Sequence, residues 1–111
     1  MRTEIRKTEW APTKELLPII LGKEFGEELE EKEVEKLELF EKGLAKEIKK
    51  DDSIEVAITK IVKMAVAAEF GPTLVASQGA KQMIATITRG ILGDAELRRQ
   101  ALVIMDRFAN A

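Results

Sequence analysis

The clearest pattern of apolar and polar positions lies between Ser53 and Gly71. Apolar residues recur there at a spacing of three or four, which places them on one face of an α-helix, while Lys60 and Lys63 fall on the opposite face. The apolar stripe consists of Ile54, Ala57, Ile58, Ile61, Ala65 and Ala68. Ser53 is a typical N-cap residue, and Gly71 followed by Pro72 is a typical helix stop. The pattern therefore predicts a helix that begins after Ser53 and ends at Gly71.

A second amphipathic segment runs from about Glu27 to Lys50. Its apolar residues share one broad helical face: Leu29, Val34, Leu37, Phe40, Leu44 and Ile48. Most of the remaining positions are Glu or Lys, and the lysines at its end suit the negative end of a helix dipole. We expect a long helix that buries one face.

Two further helices are predicted near the C-terminus, over Ala80 to Leu92 and Ala95 to Phe108. The first would bury Ala80, Met83, Ile84, Ile87 and Ile91, and the second Leu97, Ala101, Ile104, Met105 and Phe108. Gly79 is expected to separate the first of them from a short piece over residues 73–77. Gly93 is expected to end it, and Asp94 to cap the next helix.

The N-terminal part gives a weaker pattern. Within residues 1–10, charged residues alternate with other residue types, which suggests a short edge strand or an arm. Trp10 is interpreted as a packing anchor. The following segment is interpreted as helical: either Thr13 caps a first helical turn that Pro18 then breaks or kinks, or Pro18 is the first residue of the helix. Together the elements predict an all-α fold, with residues 1–111 forming one domain of four or five helices in a bundle or an orthogonal array.

Composition limits the chemistry available to such a domain. The chain has 18 basic and 20 acidic residues, a net charge of −2, and no Cys, His or Tyr, so disulfides, thiolate metal sites and a histidine base are all excluded. Ser77 and Lys81 stand four residues apart, but nothing completes a nucleophilic site around them. Five glutamates fall on one face if the charged helix is continuous: Glu24, Glu28, Glu31, Glu35 and Glu38. We interpret this ridge as solvated, and expect no enzyme, no cofactor and no bound metal.

Charge and hydropathy also bear on location and source. The longest run without a charged residue covers residues 70–80, well short of the roughly 20 residues that a membrane span needs. No apolar signal segment follows Met1, so we expect a cytoplasmic protein that does not enter a membrane. The abundance of Glu and Lys with no Cys resembles proteins from heat-adapted organisms.

The segment from Ala68 to Gly93 carries only Glu69, Lys81 and Arg89 as charges. A helix this neutral is either central in its own fold or covered by a partner. Apolar and small residues also lie off the predicted core faces, at Val56, Phe70, Ala85, Leu92, Leu102 and Val103. Since exposed apolar patches mark interfaces, we predict self-association through these residues, as a homodimer or as a small subunit of a larger assembly.

An alternative to self-association is suggested by nearly the same segment. Residues 65–82 resemble a helix-turn-helix motif, with Ala67 and Gly71 at the positions of its small residue and its turn glycine. The resemblance implies a DNA-binding regulator whose recognition helix begins at Thr73, with contacts from Thr73, Gln78, Lys81 and Gln82. The sequence departs from the motif at Ser77, where an apolar residue is expected, and at Gly79.

Overall fold

The computed structural model describes residues 11–24 and 29–109, and over these residues the chain is all-α without strands. Its helices are α1 (Ala11–Leu21), α2 (Glu31–Glu47), α3 (Ile54–Phe70), α4 (Gln78–Leu92) and α5 (Ala95–Ala109). A short 3-10 turn (Leu74–Ala76) lies between α3 and α4. The all-α prediction is confirmed. The predicted strand or arm over residues 1–10, Trp10 included, falls outside the described residues.

The third helix occupies the centre of the fold, because it packs against α1, α2, α4 and α5. Its buried residues cover more than one face: Ala57, Ile58, Ile61, Val62, Ala65 and Val66. Both predicted ends are confirmed. The Ser53 hydroxyl accepts a hydrogen bond from the Val56 backbone amide at 3.2 Å, and Gly71 ends the helix with a φ of 92°.

The fourth helix is peripheral, which excludes the first of the two alternatives given for this neutral segment, a helix central in its own fold. It buries only Ala80, Ile84, Thr88 and Ile91. Met83, predicted as core, is exposed, and Ile87 is half-buried. The segment is poor in charge because its outer positions are Gly, Ala, Gln and Thr, which solvent accepts without a formal charge.

The start of α4 also differs from its prediction. The Ser77 hydroxyl accepts a hydrogen bond from the Ala80 amide at 3.1 Å, so the helix begins at Gln78 and Gly79 lies inside its first turn. At the other end Gly93 ends α4 as predicted, and the Asp94 carboxylate accepts from the amides of Glu96 and Leu97 at 3.0 Å each. This confirms Asp94 as the cap of α5.

The N-terminal segment is helical as predicted, but neither detailed interpretation of it is correct, since α1 is continuous through Pro18. Thr13 lies within the helix and is buried, with its hydroxyl donating to the Glu41 carboxylate rather than capping a turn. Proline forfeits one backbone hydrogen bond inside a helix. The burial of Leu16, Leu17 and Ile20 on the same helix offsets that loss.

The predicted apolar face of α2 is confirmed, with Val34, Leu37, Phe40 and Leu44 buried on the helix and Ile48 buried just after it. The helix is shorter than predicted at both ends. The Glu33 carboxylate accepts from the Glu30 amide at 2.9 Å, which fixes the start at Glu31. After Glu47 the backbone becomes extended at Ile48. Residues 25–28, in which the predicted start lies, fall outside the described part of the chain.

Candidate functional site

A groove of about 510 Å³ opens between α3 and α4, with the 3-10 turn at its edge. Its lining residues are Glu55, Thr59, Lys63, Val75, Lys81, Ile84, Ala85, Thr88, Arg89 and Leu92. This volume lies in the range of small-molecule sites. The lining combines apolar side chains with four charged ones.

Helical spacing explains why these residues meet. Glu55, Thr59 and Lys63 are four residues apart and form one row along α3. The packing of α3 against α4 brings this row beside the lining residues of α4, which are Lys81, Ile84, Ala85, Thr88, Arg89 and Leu92.

The groove carries a positive excess. Lys63, Lys81 and Arg89 face one acidic residue, Glu55, and none of these four forms an ion pair with any described residue. Arg89 donates only a long hydrogen bond, 3.4 Å, to the Thr86 hydroxyl. The groove thus presents charges that remain available to an incoming group.

Thr88 contributes a buried polar group to the groove. Only 5% of the residue is exposed, and its hydroxyl has no hydrogen-bond partner among the described residues. Thr59 and Thr86 differ, because their hydroxyls donate to the carbonyls four residues earlier, Glu55 at 2.8 Å and Gln82 at 3.0 Å. A buried hydroxyl without a partner is costly, and the Thr88 oxygen is closed off from the open space of the groove.

Other lysines of the fold are engaged in structural contacts. Lys23, after α1, and Lys36, on α2, both pair with Glu69 on α3, the latter at 2.6 Å. Hydrogen bonds from Lys23 and, with a smaller effect, from Lys36 lower the pKa of the Glu69 carboxyl group. Lys60 donates to the Glu47 carbonyl and to the Asp52 carboxylate, both at 2.8 Å, and so fastens the connection between α2 and α3.

Glu41 is an unexpected buried carboxylate on α2. Burial raises its pKa, while the hydrogen bond from Thr13 and the nearby charge of Arg107 act in the opposite direction. An acid whose pKa is raised on folding binds its proton more tightly in the native state. Native stability is then lost as the pH rises from the ordinary pKa of a glutamate towards the raised value.

This shift yields a testable pH dependence. We expect Glu41→Gln to gain stability relative to the wild type as the pH rises from about 4 to 7, because the amide keeps an acceptor for Thr13 and carries no charge. Urea unfolding across this pH range measures the difference. The exposed Glu38 on the same helix supplies the control, since Glu38→Gln should change little at any pH. If the stability of Glu41→Gln relative to the wild type stays constant or falls as the pH rises, the pKa of Glu41 is not raised by folding.

The predicted interface residues lie in several places. Val56, Phe70, Leu102 and Val103 are exposed, whereas Ala85 and Leu92 line the groove between α3 and α4. Val56 and Phe70 are fourteen residues apart on α3, about 21 Å along the helix axis. The six residues therefore do not form one small patch.

A second groove, of about 490 Å³, lies beside α5 and is lined by Lys50, Leu102, Met105, Asp106 and Ala109. Its apolar members stand three and four residues apart, which makes them one stripe along the helix. Of the predicted interface residues, Leu102 belongs to this stripe. The rim of this groove contains one basic and one acidic residue, Lys50 and Asp106.

The predicted DNA contacts Thr73, Gln78, Lys81 and Gln82 are all exposed. Residues 71–77 separate α3 from α4 and include the 3-10 turn and an extended Ser77. A helix-turn-helix motif has a turn of three or four residues, so the expected recognition helix from Thr73 is not formed. The DNA-binding alternative remains a prediction, resting on residues in a different arrangement from that motif.

The glutamate ridge is only partly continuous. Glu31, Glu35 and Glu38 lie exposed on α2, Glu24 precedes the helix, and Glu28 falls outside the described residues. Within residues 11–24 and 29–109, no group of three or more potential metal ligands comes together. The ridge therefore provides no candidate metal centre in this part of the chain.

Comparison of the sequence and the fold with protein-family models, curated proteins and solved structures finds no match. Within the described part of the chain no helix is long and apolar enough to cross a membrane. The residues themselves must therefore carry the functional argument. Sequence reasoning identified Lys81, Ala85 and Leu92 separately, but missed Lys63 and Thr88 as neighbours of these residues.

Proposed function

We propose that this protein acts without catalysis, through self-association as a homodimer whose seam is the outward face of α5. The observation that carries the proposal is the exposure of Leu102 and Val103, 43% and 40% respectively. They stand on a helix that already buries Ala101, Ile104 and Phe108 in the core. An apolar face beyond the one used for folding is typical of an interface.

The stripe of Leu102, Met105 and Ala109 supports the same surface. It forms a concave strip next to Lys50 and Asp106, and a two-fold axis would bring the strip of each subunit against that of its partner. The rim holds one basic and one acidic residue, so it carries no net charge that would repel a second copy.

The expected affinity of the dimer follows from the free energy of burying its apolar side chains and the cost of association. Each large apolar side chain that is fully buried contributes roughly 1.5–3 kcal/mol, whereas association costs about 4–15 kcal/mol in lost freedom. A two-fold dimer uses Leu102 and Val103 twice, but each is already more than half buried in the monomer, so these side chains alone do not exceed the cost, and Met105 and Ala109 must also contribute. We therefore expect a dimer that is populated at tens of micromolar protein rather than one of nanomolar affinity.

The roles of the two serine hydroxyl groups support the proposal that the protein is not a catalyst. Both serines act as helix caps, Ser53 for α3 and Ser77 for α4. The sequence contains no His or Cys that could serve as base or nucleophile. Exposed apolar surface is therefore a better guide to function than any catalytic arrangement.

A charge placed on the seam tests the proposal. We expect Leu102→Glu and Val103→Glu each to convert the dimer to a folded monomer, because a carboxylate would be desolvated against apolar surface. Light scattering after gel filtration measures the mass, and circular dichroism checks the fold. Leu39→Glu is the matched control, since Leu39 is 57% exposed on α2 and lies outside the seam.

Three outcomes would overturn this assignment. A wild-type protein that is monomeric at 100 µM would exclude the homodimer. A dimer that survives both substitutions on α5 but is split by Leu39→Glu would place the seam on α2. Unfolding by both α5 substitutions at all protein concentrations would mean that Leu102 and Val103 serve the core.

A further inference from the structure

We propose that the groove between α3 and α4 is a docking site for an acidic amphipathic helix of another protein. The groove lies on different helices from the seam on α5, and docking there does not depend on dimerisation. The proposal rests on the helical rows that line the groove and on the excess of exposed, unpaired basic side chains among them.

The lining residues follow rows that run along the two helices. A spacing of four residues places Glu55, Thr59 and Lys63 in one row on α3. On α4 the same spacing gives an inner row, which is buried or half-buried, and an outer row, which is exposed. The inner row is Ile84, Thr88 and Leu92, and the outer row is Lys81, Ala85 and Arg89. Each row extends over about 12 Å of its helix.

A groove between two packed helices suits a third helix. Helices pack by fitting the side-chain ridges of one between the ridges of its neighbours, and an amphipathic helix lays its apolar face into such a groove. An extended peptide would instead need the free edge of a sheet, and residues 11–24 and 29–109 form no strand. Val75, Ala85 and Leu92 offer apolar surface that is at least partly exposed, so the partner should be apolar on the side that faces them.

The charge of the partner follows from the charged lining residues. Lys63, Lys81 and Arg89 outnumber the acidic lining residue Glu55, and all four are exposed. None of them forms an ion pair with a described residue. Lys81 and Arg89 stand about 12 Å apart along the axis of α4, so the positive charge is spread along the groove. Acidic side chains distributed over about two turns of a partner helix complement this pattern.

A second copy of the chain is a poorer occupant than an acidic helix. Two-fold pairing brings the same surface of each subunit together, so the basic excess of one groove would face that of the other, and like charges disfavour the contact. Nucleic acid would match the positive charge, but its phosphates would leave the apolar lining without a partner and would be repelled by Glu55. The observations therefore favour a partner that is both acidic and apolar.

Three peptides test the site on the full-length protein, each of about 18 residues because shorter isolated helices are marginal in water. The acidic peptide carries Leu at helical spacings of three and four, Glu on both sides of the Leu face, and Ala elsewhere. Its basic twin has Lys in place of Glu, and a scrambled acidic peptide has the same composition without an apolar face. NMR titration should show saturable binding of the acidic peptide, with the largest amide shifts on α3 and α4. We expect the other two peptides to bind about tenfold more weakly.

A charge swap separates the groove from general attraction. The double variant Lys81→Glu, Arg89→Glu should weaken the acidic peptide by about tenfold and strengthen binding of the basic twin. The matched control Lys42→Glu, Lys46→Glu makes the same change of net charge at exposed positions of α2. It should alter both affinities by no more than about twofold at physiological ionic strength, because distant charges are screened. Circular dichroism verifies folding, and Lys81→Gln, Arg89→Gln repeats the test with an effect of about threefold if the reversal unfolds the protein.

Several results would overturn the assignment. No saturable shift with about 1 mM acidic peptide would remove the site. Equal affinities for the three peptides, or equal losses for the α4 variant and the α2 control, would exclude the pattern or the charges as its basis. Shifts centred on Leu102 and Met105 would place docking on the second groove. Groove shifts that grow with protein concentration without any peptide would make a second copy the occupant, and tighter binding of a short DNA duplex would make it nucleic acid.

Discussion

Replacing Phe40 with alanine is expected to lower the free energy of unfolding by about 3–5 kcal/mol. Among the residues that the structure describes, Phe40 is the largest of the fully buried side chains, and it belongs to a core cluster to which all five described helices contribute. Its removal withdraws apolar surface from the core and leaves a cavity that rigid helices fill only partly. For a domain whose total stability is about 5–15 kcal/mol, this is a large fraction.

Leu39 provides the control for this prediction because it is the preceding residue on the same helix. With 57% of its surface exposed, Leu39→Ala should change stability by no more than about 0.5 kcal/mol. Urea unfolding followed by circular dichroism compares both variants with the wild type. A loss below about 1.5 kcal/mol for Phe40→Ala, or equal losses for the two variants, would show that Phe40 is not central to the core.

The existence of the helices could be predicted because their apolar stripes are regular. On α3, Ile58, Ile61 and Ala65 follow the helical period, and they are buried in the structure. Several ends were also predictable, since a cap is a local interaction. Ser53 and Asp94 accept hydrogen bonds from amides only two or three residues away, within the reach of a sequence pattern.

The arrangement of the helices could not be predicted in the same way. The low charge of α4 allowed it to be the central helix, but the charge of a segment does not determine how many neighbours enclose it. The central helix α3 carries Glu55, Lys60, Lys63 and Glu69, all at positions that leave two faces apolar. Likewise, Thr13 and Glu41 are 28 residues apart in the sequence, so nothing local indicated that their side chains meet.

The groove illustrates the same limit for the candidate site. Lys63 and Lys81 each look like an ordinary solvated charge, and only the packing of α3 against α4 brings them to one surface. Thr88 did carry a signal, because it continues the buried spacing of Ala80 and Ile84 on α4. A threonine within a core stripe suggests a buried hydroxyl, but its lack of a partner depends on the three-dimensional surroundings.

Gly71→Ala is expected to destabilise the protein by about 1–3 kcal/mol, entirely through the backbone. Gly71 has φ 92° and ψ 155°, a combination that only glycine adopts at low cost. Its amide donates to the Ala67 carbonyl at 2.8 Å and so completes the end of α3. A Cβ atom built there meets no other atom within 4 Å, so a steric clash with neighbours does not contribute to the loss.

Gly79 is the matched control, because a Cβ at this position also meets nothing within 4 Å while its backbone lies in the first turn of α4, without positive φ. Gly79→Ala should therefore stabilise the protein by up to about 1 kcal/mol. Thermal and urea unfolding of the two variants should give effects of opposite sign. Equal effects would mean that the turn after α3 can relax to an ordinary conformation and that Gly71 is not required for its geometry.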